Sequence, residues 1–265
     1  MVKSKGLLSE YLKNGAIGAL ALVGVGSRLV PGTSQNGPIL TTAVALAANS
    51  RPADSTGIKV LDALSTRTVA ALGAFETAVR PLSHPKALQT AFRSYFAYTS
   101  AHPAQVTKPF LYFVDYGLPS TQPRGYVFDM RNLRIVEGPF TVAHGRGSST
   151  TQYGVPTRFS NASGSAMTSL GLYLAQGLYQ FTGHTGGSAY NSVGLRLQGV
   201  TPGYNDNARA RGVVAHGAPY VTSTRAGRSE GCPAMEQQRA QRVLPELANG
   251  GMVFLFSPNS ALIAD

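Results

Sequence analysis

The chain has 265 residues, 43% hydrophobic and only 13% charged, a balance that excludes an intrinsically disordered protein and leaves enough length to bury a real core. Its 23 basic and 12 acidic residues give a formal net charge of +11, which draws it toward polyanions. The basic residues are scattered and no Lys/Arg run or nucleic-acid motif appears, which argues against nucleic acid, and a single cysteine, Cys232, excludes any disulfide within the chain.

In chain order, Lys3, Lys5 and Lys13 precede an apolar stretch at 16–25, the order of a secretory signal and too short for a comfortable membrane span. A second apolar run at 39–48 ends in Ala45-Leu46-Ala47, which resembles a signal-cleavage site. Residues 1–50 are therefore expected to be an export signal or a membrane anchor, with a buried N-terminal helix as the alternative. Residues 51–57 read as a linker. Beyond it Leu61, Leu64, Leu72, Phe75 and Val79 recur on one helical face up to Pro81, and Leu88, Phe92 and Tyr95 mark a second helix closed by His102-Pro103. Residues 51–107 are thus assigned to a linker and helical region.

From Pro109 the period changes. Runs at 110–116, 125–130 and 133–143 are short, β-branched or aromatic, and bounded by turn residues. Further strands are expected at 170–174, 193–197, 213–216 and 252–256, with a helix at 236–249 that Pro245 must kink or split. Strands arriving in succession with little helix between them predict a mainly β, antiparallel architecture. Residues 145–169, rich in Gly, Ser, Thr and Asn, read as a long loop, and no internal repeat is present.

The candidate chemistry centres on Gly227-Arg228-Ser229-Glu230-Gly231-Cys232-Pro233-Ala234-Met235. A thiol needs a base to become a good nucleophile, and His216, at the end of Val213-Val214-Ala215-His216, is placed to supply one. The backbone amides of Gly231 and Cys232 are candidates to receive an oxyanion, and Ser229 either braces the turn or binds substrate. Arg228, Arg211 and Arg196 are candidates to hold a carboxylate, with Arg228 favoured by its place beside the thiol. His144, in Val142-Ala143-His144-Gly145, is either a substrate-binding or alternative base residue, or a structural histidine at a strand end. A zinc site of His144, His184, His216 and Asp206 matches no known spacing, and Asn205-Asp206-Asn207 lacks the glycine and terminal glutamate of a calcium loop. No metal or cofactor is expected.

The ordered set Val114-Asp115, Arg124, Val142-Ala143-His144-Gly145, Phe159-Ser160-Asn161, Pro202 to Arg209, Val214 to Ala218 with Tyr220-Val221, and Gly227 to Ala234 resembles the murein L,D-transpeptidase catalytic-domain family, in its subgroup ending Gly-Cys-Pro-Ala. The resemblance covers about 108–257 and places the catalytic domain at 108–265. It implies a predominantly β domain acting on peptidoglycan stem peptides in the periplasm or cell envelope, with anionic wall or membrane surfaces as further partners. Cys232 would be the nucleophile, His216 its base, and the Gly217 backbone the group that orients the imidazole; His144, Arg228, Tyr220 and Asn207 would bind substrate. The thiol would attack the carbonyl joining an L- to a D-centre, release a D-amino acid and form a thioester, which an acceptor amine resolves into a crosslink. Hydrolysis of the same bond by water, and a non-catalytic wall-binding module, are the alternatives. The sequence departs from the wider family at Glu230, which fills a histidine slot, and at Pro233-Ala234, which follow the cysteine where an arginine is usual.

Overall fold

The computed structural model describes residues 55–263, so the expected export segment and its Ala45-Leu46-Ala47 site lie outside the described residues. Helix α1 (Ser55–Phe75) begins within the stretch read as a linker, Ser55-Thr56-Gly57 forming its first turn. It ends before Pro81 is reached, because the Phe75 carbonyl accepts the amides of both Ala78 and Val79 at 3.1 Å and closes a turn there. Helix α2 (Ala87–Ala101) buries Leu88, Phe92 and Tyr95, and ends where the His102 amide bonds the Tyr98 carbonyl at 2.8 Å, one residue before Pro103.

The strands are β1 (Phe110–Asp115), β2 (Gly125–Asp129), β3 (Arg134–Phe140), β4 (His144–Gly145), β5 (Gly171–Thr185), β6 (Ser188–Gly199), β7 (Val214–Gly217), β8 (Arg228–Ser229), β9 (Ala234–Met235) and β10 (Met252–Phe256), with helix α3 (Gln237–Leu247) between the last two. Eight of them form one sheet in the order β3-β2-β1-β10-β5-β6-β7-β9, and β4 pairs with β8 apart from it. The domain is mainly β, as its short aromatic and β-branched runs predict. Its sheet is mixed: β1/β10, β7/β9 and β4/β8 run parallel, and the other pairs are antiparallel. Long connections make this possible, since a parallel pair needs a crossover rather than a hairpin. Helix α3 runs unsplit through Pro245, whose missing donor falls in its last turn.

Two apolar layers sandwich the sheet. On one face Leu111, Phe113, Tyr126, Phe128, Met252 and Phe254 meet Phe75, Phe92 and Phe96 of α1 and α2. On the other, Tyr112, Val114, Val127, Val253 and Leu255 share a core with Leu195, Leu197, Ala215 and, from α3, Val243 and Leu244. Alternate residues of β1, β2 and β10 therefore enter different cores, so these strands read as nearly unbroken apolar runs. Beyond Ala175 the pattern changes. Past the pairing of Gly194 to Arg196 with β7, β5 and β6 continue as a two-stranded ribbon whose burial on β5 alternates between partly buried and exposed, turning at Gly186-Gly187 with φ of +55° and +80°. Two successive residues with positive φ suit a tight hairpin, and glycine takes that conformation without a Cβ clash.

Candidate active site

β7 places Val214 and His216 on one face of the sheet, two residues apart, while Ala215 between them enters the core. β9 runs parallel beside it with His216 opposite Ala234, and the Pro233 carbonyl accepts the His216 amide at 3.3 Å. Cys232 immediately precedes this pairing, and the Val214 backbone N–H bonds its sulfur. The Cys232 thiol and the His216 imidazole therefore occupy adjacent chain segments, joined through β7. That juxtaposition is created by the parallel pair.

His216 is buried, and its Nδ1 lies 3.1 Å from the Gly217 carbonyl oxygen. A carbonyl only accepts, so Nδ1 carries the proton and Nε2 keeps its lone pair. Burial pushes the imidazole pKa down, partly opposed by this hydrogen bond. The ring is consequently neutral and competent as a base at neutral pH. Phe181 (5.6 Å) and Tyr220 (6.5 Å) meet it edge-on. For Cys232, burial pushes the thiol pKa up; the Val214 amide and the Arg211 guanidinium pull it down, and Glu230 pushes it up. Both shifts favour a resting neutral pair of thiol and imidazole.

The turn carrying Cys232 is tightly specified. Ser229 is buried; its hydroxyl donates to the Cys232 carbonyl at 2.7 Å and accepts the Gly231 amide at 3.1 Å. The Gly231 amide is thus committed to the turn, whereas the Cys232 amide has no hydrogen-bond acceptor among the described residues. Gly231 has φ of +128°, and a Cβ there would sit 2.8 Å from the Met167 carbonyl oxygen. Only glycine fits. Loop 145–169 is densely bonded from within: Ser148, Ser149, Thr168 and Ser169 are buried, and the Ser148 hydroxyl accepts the Thr168 amide at 2.9 Å. Arg211 fastens this loop to the segment that leads into β7. Its guanidinium donates to the carbonyls of Ser160 (2.8 Å) and Met167 (2.7 Å) and to the hydroxyls of Ser169 (3.2 Å) and Ser165 (3.4 Å). So employed, Arg211 supplies positive charge beside the thiol.

The remaining sequence candidates are spread more widely. Tyr220 is half-buried beside His216, its hydroxyl pKa pushed up by burial, with Tyr190, Cys232 and Glu230 adding to the shift. Arg228 is exposed and reaches the Ser149 carbonyl at 3.4 Å. Glu230 turns outward and pairs with Arg146 at 2.7 Å, both side chains exposed. Asn207 is exposed; it bonds the Asn161 side-chain oxygen at 3.1 Å and the Asn161 carbonyl at 3.3 Å, tying two turns together. His144 is fully buried on β4. Arg124, also fully buried, donates to its Nδ1 at 2.9 Å, so the proton sits on Nε2, which has no partner. Burial first, then the charges of Arg124 and Arg228, push the His144 pKa down to about 3. His144 is therefore a permanent neutral donor. Arg124 was not singled out in sequence as its partner; its other bonds are to the Val142 and Leu118 carbonyls, and its cation lies 4.8 Å over Tyr116. No sequence pattern announces such a contact. Among the described residues no three His, Cys, Asp or Glu side chains gather to hold a metal ion, and His184 lies exposed on the ribbon.

A sequence profile of the L,D-transpeptidase catalytic domain matches residues 81–256. No curated protein matches the chain. Among solved structures, an L,D-transpeptidase from Mycobacterium smegmatis is similar at 13% identity and a TM-score of 0.33, over 56% of this chain and 58% of that one. One from Stackebrandtia nassauensis has 13% identity and a TM-score of 0.35, over 66% and 69%. L,D-transpeptidase 3 from Mycobacterium tuberculosis has 12% identity and a TM-score of 0.32, over 56% and 61%. The chain thus spans less than two thirds of the length of the two mycobacterial relatives.

Proposed function

The chain belongs to the L,D-transpeptidase catalytic-domain family, and from that premise we propose that it transfers peptidoglycan stem peptides through a thioester on Cys232. The observation that carries this reading is the pairing of β7 with β9, which sets a base of fixed tautomer, His216, beside the segment that bears the only thiol.

The chemistry follows from those positions. As the sulfur attacks the scissile carbonyl, its proton passes to His216 Nε2 and the S–C bond forms. The oxyanion is received by the Cys232 amide, already oriented by the Ser229-braced turn. Collapse breaks the C–N bond, and the imidazolium returns its proton to the departing D-amino acid's nitrogen. An acceptor amine then attacks the thioester, giving its proton to His216, and the sulfur leaves and is reprotonated. Burial of His216 lets the imidazolium exist only fleetingly, which speeds its return of the proton. Export to the periplasm or cell envelope, and attraction of the +11 chain to anionic wall or membrane surfaces, belong to the same proposal.

The test is intact-mass measurement of the protein incubated with a tetrapeptide stem, with and without excess acceptor stem. A Cys232 adduct followed by a crosslinked product is expected. A shortened stem alone means hydrolysis, and turnover retained by Cys232→Ala would remove the thiol from the mechanism.

A further inference from the structure

On the helix-covered face, where α1 and α2 meet the turn between β2 and β3, lies a cavity of about 390 Å³. It is remote from the thiol. The segment 106–109 that lines it leads into β1, and β1 stands four places from β7 in the sheet, about 19 Å at a strand spacing of about 4.8 Å. Its walls are pinned by hydrogen bonds. The Thr107 hydroxyl donates to the Asn249 carbonyl at 2.7 Å, the Lys108 amide to the Gly250 carbonyl at 3.2 Å, and the Met130 amide to the Pro109 carbonyl at 2.8 Å.

Three separate elements bring a cation to this cavity: Arg67 from α1, Lys108 from the segment before β1, and Arg131 from the β2–β3 turn. No Asp or Glu lines it, and none of the three side chains belongs to an ion pair among the described residues. The acid closest at hand, Asp129, is taken up by its own turn. It accepts the amides of Arg131 (3.1 Å) and Asn132 (3.0 Å) and the Asn132 side chain (2.7 Å), and pairs with Arg134 at 3.4 Å. Arg67 is also oriented: its guanidinium carbon lies 4.4 Å over the buried Phe96 ring, which holds the planar group while leaving its N–H edges open. Burial pushes the Tyr95 hydroxyl pKa up; the neighbouring Thr99 hydroxyl and the charges of Arg67 and Arg131 pull it down, and Asp129 adds to the rise. Two guanidinium groups from different elements thus bear on one hydroxyl of the cavity wall. Thr99 Oγ1 beside it is buried and completes no hydrogen bond of good geometry among the described residues.

We propose that this cavity is a binding site for a phosphate monoester, its oxygens held by Arg67, Lys108 and Arg131. A monoester carries about −1.5 to −2 charge at neutral pH and three strong acceptor oxygens, a match for two guanidinium forks and an ammonium. A carboxylate, with one charge and two oxygens, leaves part of that donor set unused. The rest of the wall is apolar, from Phe96, Val106, Met130 and Leu133, and suits the organic part of an ester better than a bare ion. The same chemistry is offered by a lipid headgroup and by a soluble phosphate ester. The site is separate from the acyl-transfer reading of Cys232 and stands or falls without it.

The experiment titrates the full chain with glycerol 3-phosphate and with acetate by calorimetry at low salt. It compares wild type with Arg67→Gln/Arg131→Gln and with Lys59→Gln/Arg93→Gln, which removes the same charge from exposed positions of α1 and α2 outside the cavity. Wild type is expected to bind the ester at one saturable site, about tenfold or more tighter than acetate. Arg67→Gln/Arg131→Gln is expected to weaken the ester by about tenfold or more, as loss of charge-assisted hydrogen bonds implies, and Lys108→Gln alone to act in the same direction. The Lys59→Gln/Arg93→Gln chain and Cys232→Ala are expected to bind as wild type does. Sedimentation with phosphatidylcholine vesicles, with and without phosphatidic acid, separates the sources. Retention that requires phosphatidic acid and is lost in Arg67→Gln/Arg131→Gln assigns the lipid headgroup; ester binding without such retention assigns a soluble ester. Wild type that binds neither the ester nor the phosphatidic acid vesicles, acetate bound as tightly as the ester, or equal losses in the two double variants overturns the proposal.

Discussion

The two halves of the sheet solve different problems. In β3-β2-β1-β10 the central strands are covered on both faces, by α1 and α2 on one side and by the core shared with α3 on the other. In β6-β7-β9 and in β5 past Ala175 only one face is sealed in this way, while Leu172 and Leu174 of β5 still pack under the helices. The other carries His216, Arg196, Tyr179 and Phe181, arranged around a thiol. Stability concentrates where aromatic rings interlock, and chemistry where a face is left uncovered. The contrast teaches that helix cover, rather than strand pairing, separates scaffold from site in this molecule.

That contrast is sharpest at Phe128, fully buried and in ring contact with Phe75 (4.6 Å), Phe92 (5.5 Å) and Tyr126 (5.8 Å). Phe128→Ala is expected to cost about 3–5 kcal/mol of stability, read by denaturant unfolding, with turnover per folded molecule unchanged. A loss of turnover in the molecules that remain folded would break the division of labour between the halves. Cys232→Ala is the reciprocal variant, expected to lose all turnover while its unfolding midpoint stays in place.

Acid probes the boundary between the halves. His144 has its pKa pushed from 6.5 down to about 3 in the folded state, so between those values the unfolded chain binds a proton that the folded chain refuses. Its contribution to stability is complete above about pH 6.5 and is lost as pH falls toward 3. His144→Asn keeps an acceptor for Arg124 and removes the titration. It is expected to move the acid-unfolding midpoint down by about one pH unit. Superimposable Tm-against-pH curves for the two proteins would show that another group governs acid unfolding.

The smallest of these effects is expected at Gly194, on the uncovered face. Gly194→Ala sets a methyl against the Tyr179 ring and displaces the platform under Arg196. A stability loss of about 1–3 kcal/mol is expected, read by denaturant unfolding. An unchanged unfolding midpoint would show that the Tyr179 ring moves aside at no cost.

The doubly covered half was largely legible in the sequence. β1, β2 and β10 appear as apolar runs because alternate residues feed different cores, and the runs at 110–116, 125–130 and 252–256 coincide with them to within a residue. The ribbon was not legible to its full length. Past Ala175 it has no core to enforce alternation, although Gly186-Gly187 flanked by Thr185 and Ser188 is a hairpin signal that marks its tip. In the site, Cys232 and His216 are singled out by residue type and spacing, and the Gly217 backbone beside the imidazole only by the family resemblance. The occupations of Arg211, of the Gly231 amide and of Arg124 do not. Each depends on which carbonyl or hydroxyl the folded chain brings within reach, and nothing local records it.

The position of β10 has a consequence for how the protein comes into being. Met252–Phe256 pairs with β1 on one side and β5 on the other, and so, among the described residues, is the seam between the two halves of the sheet. A chain emerging from a ribosome or a translocation pore holds β1 and β5 with exposed edges until this segment arrives. Assembly of the whole sheet must wait for some of the last residues described, a late closure of contacts far apart in sequence. A nascent or truncated copy lacking that seam has its thiol and its imidazole but no continuous sheet to support them.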